Sequence, residues 1–281
     1  MRILVTGAKG QLGCAVTLET IRRGHETIAV DIDDFNLTDR AAAQAYLASA
    51  QPECVIHCAA YTAVDKAESD PGTARAVNEF GTRYIAEHCA AHGIWLIYIS
   101  TDYVFDGSGG VPWEAGDPPN PLSVYGATKL AGEHAIQSLC PKHMIVRTSW
   151  VFGPGGNHFV NTMLRLGRER ESVRVVNDQI GSPTYTLDLA RLLCDMAQRP
   201  VAGTYHAANA GYISWAQFAR AIFDIAEFQC EVIDIPGCEY PQAAQRPLNS
   251  RLSPQSLLDA GYALLPPWRD ALERYLREFP S

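Results

Sequence analysis

The chain has 281 residues, 47% of them apolar and 19% charged, with a formal net charge of −8. That length accommodates one large α/β domain or a domain with a lobe, and the apolar share suits an ordinary buried core. The basic residues are scattered, so they leave no electrostatic footprint for nucleic acid or for an anionic membrane surface.

Residue 1 leads straight into RILVTG, with no charged leader and apolar segment, and no apolar run approaches about 18 residues, so a cytoplasmic globular protein is expected. In chain order, RILVT at 2–6 reads as a strand, 11–23 as a helix, TIAV as a strand and 39–49 as a helix capped by Thr38. CVIHC follows as a strand, 72–91 as a helix with Val77, Tyr84 and Ile85 on its apolar side, and WLIYIS as a fourth strand. This βαβαβαβ order predicts an α/β fold, a doubly wound parallel sheet of Rossmann type whose ligands collect at the carboxyl ends of the strands. MIVRT at 144–148 supplies a fifth strand. Beyond residue 150, prolines punctuate shorter elements: helices at 158–170, 186–198, 214–227 and 268–278, and strands at 173–176 and 231–235.

Eight cysteines raise the question of disulfides or zinc. Cys54 and Cys58 are too far apart along one strand to bridge, and no C-x-x-C pair is present to start a zinc site. His88 and His92 share a helix face, lack the glutamate of a zincin and lie near the helix C-terminus, where imidazole is favoured. All are read as structural, and no metal is expected.

The chemistry gathers at three strand ends. TGAKGQLG puts Gly7, Gly10 and Gly13 between the first strand and the first helix, where the backbone can approach a pyrophosphate and the helix start offers unpaired N–H groups. Asp31, after TIAV, stands where a carboxylate can accept from an adenosine ribose, which favours NADH. Lys9 inside the turn could instead pair with a 2′-phosphate, so NADPH and NADH both stay open. We therefore assign 1–150 as a dinucleotide-binding domain and 151–281 mainly as a smaller substrate-binding lobe, interleaved with the sheet.

Ser100 and Thr101 end the fourth strand, where a hydroxyl can donate to a carbonyl oxygen. In YGATK, Tyr125 and Lys129 are four residues apart and so share a helix face. The spacing predicts that the ammonium lowers the phenol pKa and also reaches a ribose hydroxyl of the nicotinamide nucleotide.

The strings TGAKGQLG, AAYTAVDKAE, STDYVF, YGATKLAGE, RTSWVFG, NDQIGSPT and RPLNSRL together resemble the extended short-chain dehydrogenase/reductases, over a span running to about Leu252. Within that family the likeness is to reductases of the C4 ketone of dTDP-4-dehydro-L-rhamnose, which implies a dTDP-sugar substrate and NADPH or NADH. The resemblance implies Thr101, Tyr125 and Lys129 as catalytic residues, with Tyr125 the proton donor. It places Gly10, Gln11 and Leu12 on the pyrophosphate, Asp31 and Asp39 on the adenosine side, and Ala60, Tyr61 and Thr62 beside the cofactor. Thr101, Asp102 and Trp150 match substrate-contacting positions, and Val64 and Asp65 join them by analogy. Arg246 and Arg251 in RPLNSRL could grip a diphosphate or form surface ion pairs.

Two departures bear on alternatives. Some family members dimerise through a magnesium ion held in part by an acidic residue just after the glycine turn. This chain has Ala15 there, so a monomer and a differently built homodimer both stay open. Sugar-nucleotide dehydratases follow the Thr-Asp pair with a glutamate, and Tyr103 stands in that place. An epimerase, another 4-ketoreductase or a non-catalytic regulatory subunit of the methionine adenosyltransferase type remain the competing readings.

Overall fold

The computed structural model describes residues 1–279. β1 (Arg2–Thr6), α1 (Gln11–Arg22), β2 (Glu26–Val30), α2 (Arg40–Ala50) and β3 (Cys54–His57) follow in the order that the apolar runs predict. The cap of α2 differs from expectation. Asp39 accepts from the amides of Ala41 and Ala42, whereas the Thr38 hydroxyl donates to Asn36 Oδ1.

After α3 (Val64–Ser69), the helix predicted over 72–91 is divided into α4 (Pro71–Arg75), a π-helical turn over Ala76–Gly81, and α5 (Thr82–His92). Asp70 caps α4 ahead of Pro71. The wide turn is organised around Asn78, which is fully buried. Its Oδ1 accepts from the Tyr61 amide at 2.8 Å, and its Nδ2 donates to Tyr61 O and Thr128 Oγ1, each at 3.1 Å. Such π turns concentrate at functional sites. Here the turn ties the segment after β3 to the helix that carries Tyr125.

The chain continues through β4 (Trp95–Thr101), α6 (Val124–Leu139), β5 (His143–Thr148), β6 (Val151–Phe152), α7 (Phe159–Glu169), β7 (Ser172–Val176), β8 (Ile180–Gly181) and β9 (Thr184–Tyr185). Then come α8 (Thr186–Gln198), β10 (Gly203–His206), β11 (Ile213–Ser214), α9 (Trp215–Ile225), β12 (Glu231–Ile235), β13 (Asn249–Ser250), α10 (Gln255–Asp259) and α11 (Trp268–Glu278).

Six strands form one parallel sheet in the order β10-β5-β4-β3-β1-β2. Successive side chains of a strand face opposite sides, and both sides are covered. Ile3, Val5 and Ile56 pack with Leu189 and Leu193 of α8, while Leu4, Val55 and Ile145 pack with Leu47, Ile85 and Ile136. Burial on both faces is why these strands read as continuous apolar runs, each such side chain stabilising the fold by about 1.5–3 kcal/mol. β10 and α8 come from the second half of the chain, so the sheet layer is completed by segments that follow residue 150.

The remaining second-half elements enclose a separate core of Phe152, Val160, Tyr185, Phe218, Leu272 and Tyr275 beside the β7–β12 pair. All eight cysteines are free. His88 and His92 stack at 4.2 Å, and His92 Nδ1 is bonded to His88 O. Among the described residues no helix is long and apolar enough to cross a membrane.

Candidate active site

The carboxyl ends of β1 to β5 open on a cavity of about 920 Å³. Its floor at β1 is the glycine turn, closed by a bond from the Gly10 amide to Gly7 O at 3.0 Å. Gly7 has φ +66°, and a Cβ there would lie 2.7 Å from the Ala59 backbone, so only glycine lets the ends of β1 and β3 meet. Gly10 offers α1 no side-chain cap, which leaves the amides of Gln11, Leu12 and Gly13 without intrahelical partners at the positive end of the helix. All of these residues line the cavity. The Gln11 Oε1 atom is buried without a hydrogen-bond partner among the described residues. The free amides of Gln11, Leu12 and Gly13 are the donor set that an anionic pyrophosphate requires, so the turn fits a dinucleotide.

Asp31 lines the cavity at the end of β2, with Oδ2 accepting from the Lys9 amide and Oδ1 from the Ile32 amide, both at 2.8 Å. The Lys9 ammonium pairs with Asp33 on the exposed surface. Asp39 is not at the cavity: both of its interactions serve the first turn of α2, and cap duty turns its carboxylate back onto that helix. Ala60, Tyr61 and Thr62 do line the cavity, on the segment held by Asn78.

Tyr125 reaches the end of β4 because α6 starts close against it. Ser123 caps that helix by accepting from the Gly126 amide at 3.1 Å. A Cβ on Gly126 would stand 2.2 Å from Tyr103 O, so glycine permits the close approach. Tyr125 meets the edge of Tyr103 at 5.5 Å. Enclosure pushes the Tyr125 phenol up to about 12, with Thr101 opposing the shift and the Asp102 charge adding to it.

Burial, rather than Lys129, governs the direction in which the Tyr125 phenol is moved. The Lys129 ammonium donates to Ile99 O at 2.7 Å and lies 4.0 Å from the centre of the Tyr98 ring. Burial brings its own pKa down to about 7, against the opposing charge of Glu133.

Thr101 Oγ1 accepts from the Tyr103 amide at 3.2 Å and donates to Asp102 Oδ1 at 3.1 Å. The neighbouring hydroxyl takes no part there. Ser100 touches the cavity, yet its Oγ donates to buried Glu133 behind the strand, because alternate strand residues face opposite ways. Asp102 is 2% exposed, its carboxyl pushed up to about 6 by burial against hydrogen bonds from Ser250 and Thr101. Asp102 Oδ2, Thr148 Oγ1 and the Tyr61 hydroxyl all belong to cavity-lining residues and have no partner among the described residues.

The opposite wall is aromatic. Trp150 stacks on Trp215 with centroids 3.6 Å apart and planes 12° apart, and Phe159 lies 4.6 Å from Trp215. Trp150 holds φ +49°, a strained setting for a bulky residue, fixed by a bond from the Thr184 amide to its carbonyl. Gly181 makes room for the indole: a Cβ there would lie 2.7 Å from it.

Val64 lines the cavity, but Asp65 does not. Asp65 pairs with Arg246 at 2.6 Å and accepts from the Ala244 amide, clamping α3 to a distant segment of the chain. Arg251 donates to Asn249 Oδ1 and also lies outside the cavity. Residues that sequence reasoning missed are Asn78, Thr148, Gly181 and Trp215. Only Asn78 left a trace, as a polar residue next to Val77 within an apolar helical stripe.

The sequence pattern of the RmlD substrate binding domain matches residues 1–281. The chain belongs to this family. It is 40% identical to a dTDP-4-dehydrorhamnose reductase of Sinorhizobium fredii, over 98% of this chain and 96% of that protein. It is 39% identical to the spore coat polysaccharide biosynthesis protein SpsK of Bacillus subtilis, over 100% and 98%. Among solved structures, a dTDP-4-dehydrorhamnose reductase of Clostridium acetobutylicum superposes with TM-score 0.97 at 38% identity, covering 99% of each chain. One from Bacillus anthracis in complex with NADP does so with TM-score 0.96 at 40% identity, again covering 99% of each. A UDP-glucose 4-epimerase of Thermus thermophilus, at 23% identity and TM-score 0.84, shares the fold.

Proposed function

We propose that the chain reduces the C4 ketone of dTDP-4-dehydro-L-rhamnose to the alcohol of dTDP-L-rhamnose, using NADPH or NADH, as a cytoplasmic enzyme. The observation that carries this reading is the convergence of Thr101, Tyr125 and Lys129 at the end of β4, in one cavity with an uncapped glycine turn.

A bound dihydronicotinamide supplies the hydride for C4. Tyr125, protonated across the neutral range by its enclosure, hydrogen-bonds the ketone oxygen and gives up its phenolic proton as negative charge develops there. Thr101 turns its hydroxyl from Asp102 to the same oxygen, the geometry of an oxyanion donor. Lys129 keeps one N–H on Ile99 O and has two more for the nicotinamide ribose. Solvent returns the proton to Tyr125. The stacked Trp150 and Trp215 give the hexose an apolar surface, with Val64 and Asp102 completing the substrate side.

NADPH or NADH oxidation with dTDP-4-dehydro-6-deoxyhexoses tests the reading, because a reductase consumes reduced cofactor stoichiometrically whereas an epimerase restores its own. Tyr125→Phe should bind NADPH normally and lose ~10²- to 10⁴-fold in turnover. Full activity in that variant, or no oxidation with any such sugar in the parent enzyme, overturns it. Any homodimer must form without the metal bridge, because Ala15 offers no ligand and is buried. Light scattering with and without EDTA should give the same mass.

A further inference from the structure

Behind the cavity lies a fully buried ion pair that the mechanism above does not use. Glu133 has no exposure and follows Lys129 by one helical turn on α6. Its carboxylate accepts from Arg147 through Nε at 3.0 Å and Nη2 at 2.7 Å, and from Ser100 Oγ. Ser100 and Arg147 face each other across the β4–β5 ladder, each just before the threonine that ends its strand, and those threonines are also paired. One carboxylate thus joins the helix carrying Tyr125 and Lys129 to the two strand ends bearing Thr101 and Thr148.

A bidentate pair of this kind takes two charges out of water, and two apolar residues would fill the volume more cheaply. The pair therefore calls for an explanation beyond packing. Lys129 supplies one, since it is itself a buried charge whose direct contacts, Ile99 O and the Tyr98 ring, carry no countercharge.

We propose that Glu133 is a positioning residue, whose carboxylate fixes α6 on the ends of β4 and β5 and holds the Lys129 side chain in its charged ammonium form. The inference rests on reading Lys129 as the group that holds the nicotinamide ribose. The titratable groups facing that ammonium are Glu133 and Tyr125 from α6, Tyr98 from β4, His57 and Cys58 from the end of β3, and Arg147 from β5 behind Glu133. His57 is neutral, its pKa brought down to about 3 by burial and by Lys129, and burial pushes the Cys58 thiol up to about 12, so it too is neutral. That leaves Glu133 as the one anion among these groups and Arg147 as its competitor for it.

The signs follow. Lys129 loses its proton as pH rises through about 7. Removing the Glu133 charge disfavours the ammonium and moves that loss to lower pH, whereas removing the Arg147 charge frees Glu133 and moves it to higher pH.

The chain has four lysines, Lys9, Lys66, Lys129 and Lys142, so NMR of ¹³C-labelled lysine ε-carbons in the cofactor-free enzyme resolves each titration, with Lys129→Met assigning the signal. Glu133→Gln should lower the Lys129 midpoint and Arg147→Gln should raise it, each by about 1–3 units. The double variant Glu133→Gln/Arg147→Gln keeps the net charge and should fall between them, and as a neutral pair it keeps the experiment informative where a single variant fails to fold. The pH at which NADPH affinity declines, read by fluorescence, should move in the same directions.

A purely structural brace predicts that the midpoint stays put in every folded variant, and that result overturns the inference. Should the lysine titrations shift as stated while Lys129→Met binds NADPH and turns over like the parent, the proposal for Glu133 stands and the role given to Lys129 falls.

Discussion

The two walls of the cavity are built in different ways. The sheet wall consists of strand ends and helix starts, where backbone geometry dictates position: the turn at Gly7, the cap at Ser123 and the register of Thr101 with Thr148. The lobe wall consists of side chains carried by the residue before β6 and by the first turns of α7 and α9, and it holds together by stacking among Trp150, Trp215 and Phe159. A wall set by backbone tolerates almost no change of shape and suits chemistry that every turnover repeats. A wall of packed aromatic rings can be re-cut by substitution, and in the proposed function it is the wall on which preference for one sugar over another would rest.

The largest effect is expected where the sheet wall is tightest. Gly126→Val puts a side chain 2.2 Å from Tyr103 O, so α6 must move off the 102–104 turn and take Tyr125 with it. Overpacking of this kind costs about 1–3 kcal/mol in stability, and displacing a reacting group by about 1 Å costs on the order of 10²-fold in rate. Urea unfolding and kcat measure the two. NADPH affinity should fall less than kcat, because the glycine turn is untouched while Lys129 moves with α6. Parental kcat in the folded variant would show that the close approach does not position Tyr125.

Trp150→Ala is the matching test of the lobe wall, with a smaller and different signature. It removes one face of the Trp150–Trp215 stack, leaving Thr101, Tyr125 and the glycine turn in place. The KM for the sugar nucleotide should rise by up to about tenfold, the worth of an aromatic contact, with NADPH affinity unchanged. Equal losses in both affinities would mean that the two walls are not separable.

The contrast between the walls also decides what the sequence disclosed. The glycine turn and the Tyr125/Lys129 pair are local patterns on regular elements, so periodicity locates them. Ser100 and Thr101 looked equivalent as adjacent hydroxyls. Strand alternation says that only one of them faces the site, but choosing which needs the placement of α6 and its Glu133. The π turn at Asn78 escaped because apolar spacing continues across it. Asp39 and Asp65 were misplaced for opposite reasons, one taken by a cap two residues away and the other by Arg246, 181 residues on. The stack of Trp150 on Trp215 joins residues that no local pattern connects. Helix spacing brings Tyr125 and Lys129 to one face without fixing where a long lysine points, and Ile99 O takes one N–H of the ammonium.

The smallest expected effect lies at the exposed rim of the sheet wall, where backbone control gives out. Asp31 has both oxygens on main-chain amides, so its carboxylate is held in place, whereas Lys9 reaches Asp33 across open solvent. A surface pair of that kind is weak and screened, which leaves the ammonium free to exchange Asp33 for a 2′-phosphate. Lys9→Ala should therefore weaken NADPH binding a few-fold, more at low salt than at high, and leave NADH binding as it is. Fluorescence titrations of both cofactors at two ionic strengths read the difference. Equal weakening of NADH would place Lys9 on the part that the two cofactors share, and the rim would then belong with the rigid turn rather than beside it.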